Sequence, residues 1–240
     1  MTATICTNTI INLLSQERMV PYGGLDATNT QGHDTAIDYY IALQDISSHF
    51  FVILQLLEIS LRNRMHTNLS DFFSQRDWYS TFPKTPTSQK IVSQTDRDIK
   101  KEFGSRLYSD NDFICRLSFG FWTHLLDKHH RSDKFWAVKI NNVFTNRGAK
   151  NTGALFDELK KAGTLRNRLY HHEPIWKSKK NTPKNICFLD AVANMQTNYD
   201  QVAELLFLLS IENQNLLLKY SLKQRFLDCC LYYTEKFKNK

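Results

Sequence analysis

The stretch from Phe50 to Leu69 reads FFVILQLLEISLRNRMHTNL and decides the expected fold. Its apolar residues, together with those of the segment before it, recur every three or four positions, which is the period of a helix with one buried face. The recurring positions are Ile37, Tyr40, Ile41, Phe50, Ile53, Leu54, Leu57, Leu61, Met65 and Leu69. The pattern predicts one helix, or a pair of helices, from Thr35 to about Leu69, with Asp34 as the N-cap.

The same helical period continues on both sides of this stretch. The further predicted helices are Thr9 to Met19, Ser88 to Phe103, Asn111 to Lys128, Asp133 to Val143 and Gly153 to His172. Neither glycine nor proline occurs after Pro183, so residues 184–240 predict two long helices that meet near Asn213-Gln214-Asn215. No strand-rich block and no long linker is visible, and the prediction is a single all-α domain over residues 1–240.

Three segments are predicted as loops because they hold the strong helix breakers or a run of polar residues. Residues 23–32 contain Gly23, Gly24 and Gly32, and a lid is predicted near residues 21–34. Residues 81–87 contain two prolines, and residues 177–185 form a polar, basic loop.

Composition indicates a folded protein of a reducing compartment. Hydrophobic residues make up 42% of the 240, enough for a sizeable core. The five cysteines are odd in number and scattered, which is unlike a disulfide framework. The N-terminal residues do not resemble a secretory signal, and the most apolar run, Leu205 to Ile211, is too short to span a membrane. The predicted location is therefore cytoplasmic, without a membrane partner.

Positive charge is concentrated between Lys160 and Lys184. This segment holds eight basic residues against Glu173 alone, an excess equal to the formal net charge of +7 for the whole chain. Concentrated positive charge attracts polyanions such as RNA. A solvated basic loop is the alternative explanation.

Inside this segment, LRNRLYHHEPIW (residues 165–176) brings together residues suited to RNA chemistry. Arg166 can hold a phosphate through two parallel N–H bonds, and His171 can donate a proton near neutral pH. Asn167 lies four residues before His171, on the same helical face, where its amide can orient the imidazole or the substrate. Pro174 disfavours helical geometry at Glu173, so the helix is predicted to end near His172, with His171 in its last turn.

The spacing of Arg166 and His171 favours a shared site. Five residues on an ideal helix correspond to a rotation of about 140° and a rise of about 7.5 Å, so one chain cannot easily aim both groups at one phosphate. Two copies that meet across a twofold axis can place each Arg166 beside the other chain's His171. A cluster of purely structural hydrogen bonds at the helix end is the alternative.

No metal site and no cofactor is predicted. The metal-capable side chains of Cys115, His124, His129 and His130 fit no familiar zinc spacing, and no glycine-rich phosphate loop is visible. Aromatic residues at helical spacing could stack bases, but they are interpreted as core. These are Phe119, Phe121, Trp122, Phe135 and Trp136. Cys229 and Cys230 are interpreted as packed thiols.

Four stretches together resemble the Abi-like (abortive infection) proteins, bacterial members of the HEPN superfamily of all-helical RNA-processing and RNA-binding domains. They are SQERMVPY (residues 15–22), LEISLRNR (57–64), LSFGFW (117–122) and RNRLYHHEPI (166–175). The last is similar to the family's Arg-polar-x3-His motif, which falls on Arg166, Asn167 and His171.

The resemblance implies a HEPN-like helical bundle with additional N- and C-terminal helices. It also implies a homodimer with facing motif helices, metal-independent endoribonuclease activity, and a role in phage defence or a toxin–antitoxin pair with a protein or RNA antitoxin. Arg166, Asn167 and His171 inherit the catalytic roles. The alternative is a HEPN protein that binds RNA or senses a partner without cutting.

Further residues are assigned to RNA binding or support of the site: Arg168, His172, Lys177, Lys179, Lys180, Glu58, Arg62 and Asn63. Glu58 and Arg62 are also spaced for a simple helix salt bridge. Residues 61–66 (LRNRMH) echo the motif at 165–171, which is interpreted as a chance likeness rather than a duplication.

Overall fold

The structure, a computed structural model, describes residues 7–25, 33–82, 85–131, 133–177 and 186–238. These residues form α-helices and one short 3-10 helix, and no strand occurs among them. The all-α prediction is therefore confirmed. The helices are α1 (Thr7–Leu14), α2 (Gln16–Gly23), α3 (His33–Ser48), α4 (Phe50–Phe73), α5 (Pro86–Phe103), α6 (Asp110–Arg116), α7 (Phe119–His124), α8 (Lys134–Val143), α9 (Thr152–Tyr170), α10 (Phe188–Leu209), α11 (Ile211–Lys219) and α12 (Leu222–Phe237).

The contacts divide the chain into two compact units, each assembled from segments that are distant in sequence. The first unit comprises Met1–Ile53, Leu165–Gln201 and Leu217–Lys240, and the second comprises Leu54–Thr164 and Val202–Leu216. The prediction of a single domain over residues 1–240 stays a prediction.

The core of the first unit is aromatic. The ring of Tyr199 on α10 stacks on Phe226 of α12, with 4.1 Å between the ring centroids, and Phe50 meets both rings edge-on. A second group joins Tyr39 to Phe188 at 4.8 Å and to a ring of α12. These buried contacts fix α10 and the start of α4, and aromatic pairs of this kind contribute beyond their buried area.

The second unit is built around tryptophan and phenylalanine. All five aromatic residues that the sequence assigned to core are buried, and each residue is at most 5% exposed. The indole of Trp78 lies 6.0 Å from that of Trp122, and Phe135 meets Trp136 edge-on at 4.8 Å. The core interpretation is confirmed for these residues.

The sequence did not predict the helix breaks that occur at serine residues. The single helices predicted over residues 9–19 and 111–128 are each two helices, separated at Ser15 and Ser118, and the C-terminal pair is three helices, separated at Ser210 and Ser221. The hydroxyls of Ser15, Ser118 and Ser210 accept backbone N–H groups at 3.3 Å, and Ser221 is left-handed (φ 51°). Serine offers the backbone such alternatives to helix without the obvious signal of glycine or proline.

Other predicted boundaries also need correction. α3 begins at His33, so Asp34 lies in its first turn rather than at the N-cap. The predicted lid at 21–34 begins inside α2, where Tyr22 is buried, and residues 26–32 lie outside the described residues. The predicted loop over 81–87 ends early, since α5 begins at Pro86 with Thr85 as its cap. Proline at the first helical position is favourable because no N–H bond is lost there.

The segment Asp34–Phe73 is long and apolar enough to cross a membrane by length and composition, with a mean hydropathy of 1.3 over its most apolar window. The core helix of a soluble protein passes the same test, and 44% of the window is buried here. The cytoplasmic location and the absence of a membrane partner stay predictions.

Candidate functional site

The motif residues lie at the C-terminal end of α9. Asn151 starts this helix by accepting the backbone N–H of Ala154 on its side-chain oxygen at 2.9 Å. One face of α9 is buried through residues at helical spacing: Leu155, Leu159, Ala162 and Leu165. The opposite face carries polar side chains, so the motif is presented by a helix that packing holds in place.

A Schellman motif ends the helix. The amide of Glu173 donates to the carbonyl of Arg168 at 2.8 Å, and the amide of His172 donates to the carbonyl of Leu169 at 3.1 Å. This pair of bonds requires that the residue before Glu173 be left-handed, and that residue, His172, has φ 55°. α9 therefore ends at Tyr170, two residues before the predicted end, and the cause is this turn rather than Pro174 alone.

His171 is the first residue beyond the helix. Its amide still donates to the carbonyl of Asn167 at 3.0 Å, so the last helical turn constrains this residue on its N-terminal side, while the bonds at His172 constrain it on its C-terminal side. The side chains of Asn167, His171 and His172 are exposed. The sequence predicts that Asn167 and His171 lie on one face at this end of the helix, and both residues are open to solvent.

The segment after the turn is anchored in the first unit. Ile175 and Trp176 are both buried, and their carbonyls accept side-chain amides of Asn198 at 3.0 Å and Asn194 at 3.4 Å from α10. The indole of Trp176 also meets the ring of Tyr22 edge-on at 6.0 Å. The motif turn is consequently held between α9 and a buried anchor.

Arg166 is half-buried and lies against its neighbours on the helix. Its guanidinium carbon is 4.4 Å from the ring centroid of Tyr170, an i, i+4 cation–π contact, and its Nη1 donates to Oδ1 of Asn167 at 3.4 Å. Tyr170 is 47% exposed, and its ring lies 6.1 Å from that of Phe51, a residue that is 48% exposed. Charged, amide and aromatic groups thus share one accessible surface.

The basic residues on either side of the turn that the sequence assigned to RNA binding differ in their contacts. Arg168 Nη1 donates to the carbonyl of Lys177, so one edge of this guanidinium is already engaged in holding the chain. The ammonium of Lys177 lies 5.8 Å from the Trp176 ring centroid. Lys179 and Lys180 lie outside the described residues.

Glu58, Arg62 and Asn63 lie on the part of α4 that belongs to the second unit. Nε of Arg62 donates to Oδ1 of Asn63 at 3.1 Å, while Asn63 is exposed and the other two side chains are half-buried. Their role in the site stays a prediction.

Arg18 was not predicted as part of the motif region. Its Nη1 donates to the carbonyl of His172 at 2.7 Å, across 154 positions of sequence. The only sequence signal was its place in the resembling segment at residues 15–22. Asn194 and Asn198 were missed as well, because polar residues in a long helix carry no mark of the carbonyls that they will meet.

Within the described part of the chain, no group of three or more His, Cys, Asp or Glu residues is arranged to hold a metal ion. His130 pairs with Asp133 at 3.1 Å on the same turn. Cys230 is buried, and burial raises the pKa of the Cys229 thiol to about 11, so this thiol stays protonated. The interpretation as a packed thiol is confirmed for Cys230, whereas Cys229 is half-buried and its thiol donates to Oδ2 of Asp45 at 3.8 Å.

Comparisons with known proteins found no relative of the chain. No family model, no curated protein and no solved structure matches the chain.

Proposed function

We propose that the chain is a metal-independent endoribonuclease of the HEPN type that works as a homodimer, with Arg166, Asn167 and His171 as its catalytic residues. The observation that carries this proposal is the exposure of the His171 imidazole on a turn fixed by the Schellman bonds and by the buried Ile175–Trp176 anchor. A proton donor of this kind needs access to substrate together with a fixed backbone.

The reaction requires no metal. The 2′-oxygen of the RNA bonds to the adjacent phosphorus, its proton passes to solvent, and the bond from phosphorus to O5′ breaks with its electron pair on O5′. The imidazolium of His171 gives its proton to O5′, and the guanidinium of Arg166 stabilises the charge on the phosphate. Asn167 orients the substrate or the imidazole, and the products are a cyclic phosphate and a 5′-hydroxyl end.

A second copy of the chain supplies the missing geometry. In one chain the guanidinium of Arg166 lies over Tyr170, and five residues separate it from His171. A twofold axis beside the end of α9 places Arg166 of one protomer near His171 of its partner, giving two equivalent composite sites.

The decisive experiment uses purified protein, mixed RNA and a chelator. Arg166→Ala and His171→Ala are expected to abolish cleavage, whereas two exposed control positions outside the site, Arg97→Ala and His129→Ala, are expected to leave it unchanged. RNA binding without cleavage by the unaltered protein would support the non-catalytic RNA-binding alternative. Neither binding nor cleavage would contradict both.

Mixing the two inactive variants tests the composite site directly. A mixed dimer of Arg166→Ala and His171→Ala chains keeps one site with both groups, so a 1:1 mixture should regain about one quarter of the original activity. If each chain instead used its own Arg166 and His171, the mixture would stay inactive.

The cellular role that follows from this proposal is that of a toxin or abortive-infection effector in phage defence, held in check by a protein or RNA antitoxin. Expression of the unaltered chain in bacteria is expected to arrest growth, and His171→Ala is expected to relieve the arrest. Arrest that persists in His171→Ala would separate toxicity from this chemistry.

A further inference from the structure

The end of the motif helix is a strained point of the backbone. Four described residues other than glycine have a positive φ, and three of them are serines (Ser15, Ser74 and Ser221). The fourth is His172, directly after His171, with φ 55°. A side chain with a Cβ is disfavoured in this left-handed conformation, so surrounding interactions have to hold it there.

The bonds within the turn account for its amides but not for the His172 carbonyl. The amides of His172 and Glu173 bond back to Leu169 and Arg168 of α9. The carbonyl of His172 points away from these bonds and accepts Nη1 of Arg18 at 2.7 Å. Hydrogen bonds from a charged donor are stronger than neutral ones, so this contact is well suited to hold the left-handed turn.

Arg18 is itself placed by a defined piece of structure. It lies in the first turn of α2, and its backbone amide donates to the hydroxyl of Ser15, the N-cap of that helix. One turn further along α2, the buried Tyr22 packs against Trp176, four residues after His172 in the chain. α2 therefore contacts the segment after His171 at two points: the His172 carbonyl and the Trp176 ring.

We propose that Arg18 is a positioning residue, which holds the left-handed turn at His172 and thereby fixes the direction of the His171 imidazole. The proposal rests on the endoribonuclease function proposed above for its effect on cleavage. Because His171 and His172 are adjacent, rotation about the backbone of His172 or relaxation of its left-handed conformation changes the path of the chain directly after the imidazole. Small displacements of a proton donor reduce the rate of the step that it assists.

The experiment compares Arg18→Ala with Arg97→Ala, which removes an exposed arginine of α5 that donates to Gln94 on its own helix. Amide hydrogen exchange and the ring signals of His171 are followed by NMR on the full chain. Arg18→Ala is expected to speed exchange at His172 and Glu173 by roughly tenfold or more and to shift the His171 ring signals. Amides of α12, which belongs to the same unit as Arg18, should be unaffected by Arg18→Ala, which shows that this unit stays folded.

A second arm uses glycine to remove the strain. In His172→Gly the left-handed turn forms without a Cβ penalty, so the effect of Arg18→Ala should be smaller in that background than in the unaltered chain. For cleavage, Arg18→Ala should lower kcat by roughly tenfold with little change in KM. The same substitution within His172→Gly should lower kcat by less than about threefold.

The outcomes separate the two proposals. Unchanged exchange and unchanged His171 ring signals in Arg18→Ala would overturn the positioning role, whatever the activity. Altered ring signals with an unchanged kcat in an RNA-cleaving protein would overturn it as well. If the unaltered chain cleaves no RNA, the endoribonuclease proposal fails, and the NMR comparison alone decides whether Arg18 directs His171.

Discussion

Two stretches of this chain share the order Leu-Arg-Asn-Arg, and the structure uses them differently. At residues 61–64, Nε of Arg62 donates to Asn63, and Arg64 donates to the carbonyls of Val143 and Asn142. At residues 165–168, Arg166 donates to the following asparagine, and the second arginine donates to the carbonyl of Lys177. The first arginine therefore donates to the next asparagine in both places, while the second arginine donates to different backbone carbonyls in each.

The histidines make the difference. His66 lies four residues after Arg62, in the middle of α4, and its Nδ1 accepts the indole N–H of Trp78 at 3.0 Å. His171 lies five residues after Arg166, beyond the end of α9, and is exposed. One residue of spacing and the end of a helix thus separate a histidine that holds the core from one that is accessible. A motif of this kind becomes informative only with its structural context.

The largest predicted effect separates the two histidines by activity. His171→Ala should lower kcat for RNA cleavage by about 100- to 10,000-fold, because it removes the proton donor. The free energy of unfolding should change by less than about 0.5 kcal/mol, since the side chain is exposed. Cleavage assays and urea unfolding measure the two quantities. A comparable loss of cleavage in a stably folded His66 variant would show that the two histidines do not differ in their effect on activity.

The second prediction concerns Arg64, the counterpart of Arg168. Arg64 donates to the last two carbonyls of α8, where a cation also interacts favourably with the helix dipole. Arg64→Ala should lower the free energy of unfolding by about 2 kcal/mol, because two carbonyls lose a charged donor. Arg168→Ala removes a single carbonyl contact and should lower it by about 1 kcal/mol. Equal effects in urea unfolding would contradict this ranking.

These two arginines also show what sequence can and cannot predict. The buried stripe through Leu57, Leu61 and Met65 followed from spacing alone, and so did the helix that ends just before His171. The carbonyl that each arginine meets did not follow, because it belongs to a segment far away in sequence or beyond a turn. The left-handed turn at His172 was also hidden, since its cause is a set of bonds that any residue's backbone can make.

The third prediction tests the structural role of His66. His66→Phe should lower the free energy of unfolding by about 1–2 kcal/mol, because the buried indole N–H of Trp78 loses its acceptor. Replacing both partners, in His66→Phe with Trp78→Phe, removes the polar pair and should show positive coupling in a double-mutant cycle. His129→Ala, at an exposed position, serves as the control. Strict additivity of the two substitutions would show that the bond contributes little.

The same histidine gives a pH dependence. Burial, followed by the positive charge of Arg76, lowers the pKa of His66 below its ordinary value of 6.5. The unfolded chain therefore binds the proton more readily than the folded chain. The contribution of neutral His66 to the free energy of unfolding is complete above pH 6.5 and is lost as pH falls below it. Urea unfolding across this range should show a steeper loss of stability in the unaltered chain than in His66→Phe. Identical slopes would contradict the assignment.

The smallest effect concerns Tyr170, which occupies the position after Arg166 that His66 occupies after Arg62. Its ring lies under the guanidinium of Arg166, a contact worth about 0.5–1 kcal/mol at an exposed site. Tyr170→Leu should therefore lower kcat/KM for RNA about two- to fivefold by freeing Arg166, whereas Tyr170→Phe keeps the ring face and should match the unaltered chain. If Tyr170→Phe lowers kcat/KM as much as Tyr170→Leu does, the hydroxyl rather than the ring face is responsible. Tyr170 and His66 would then share only their spacing from the preceding arginine.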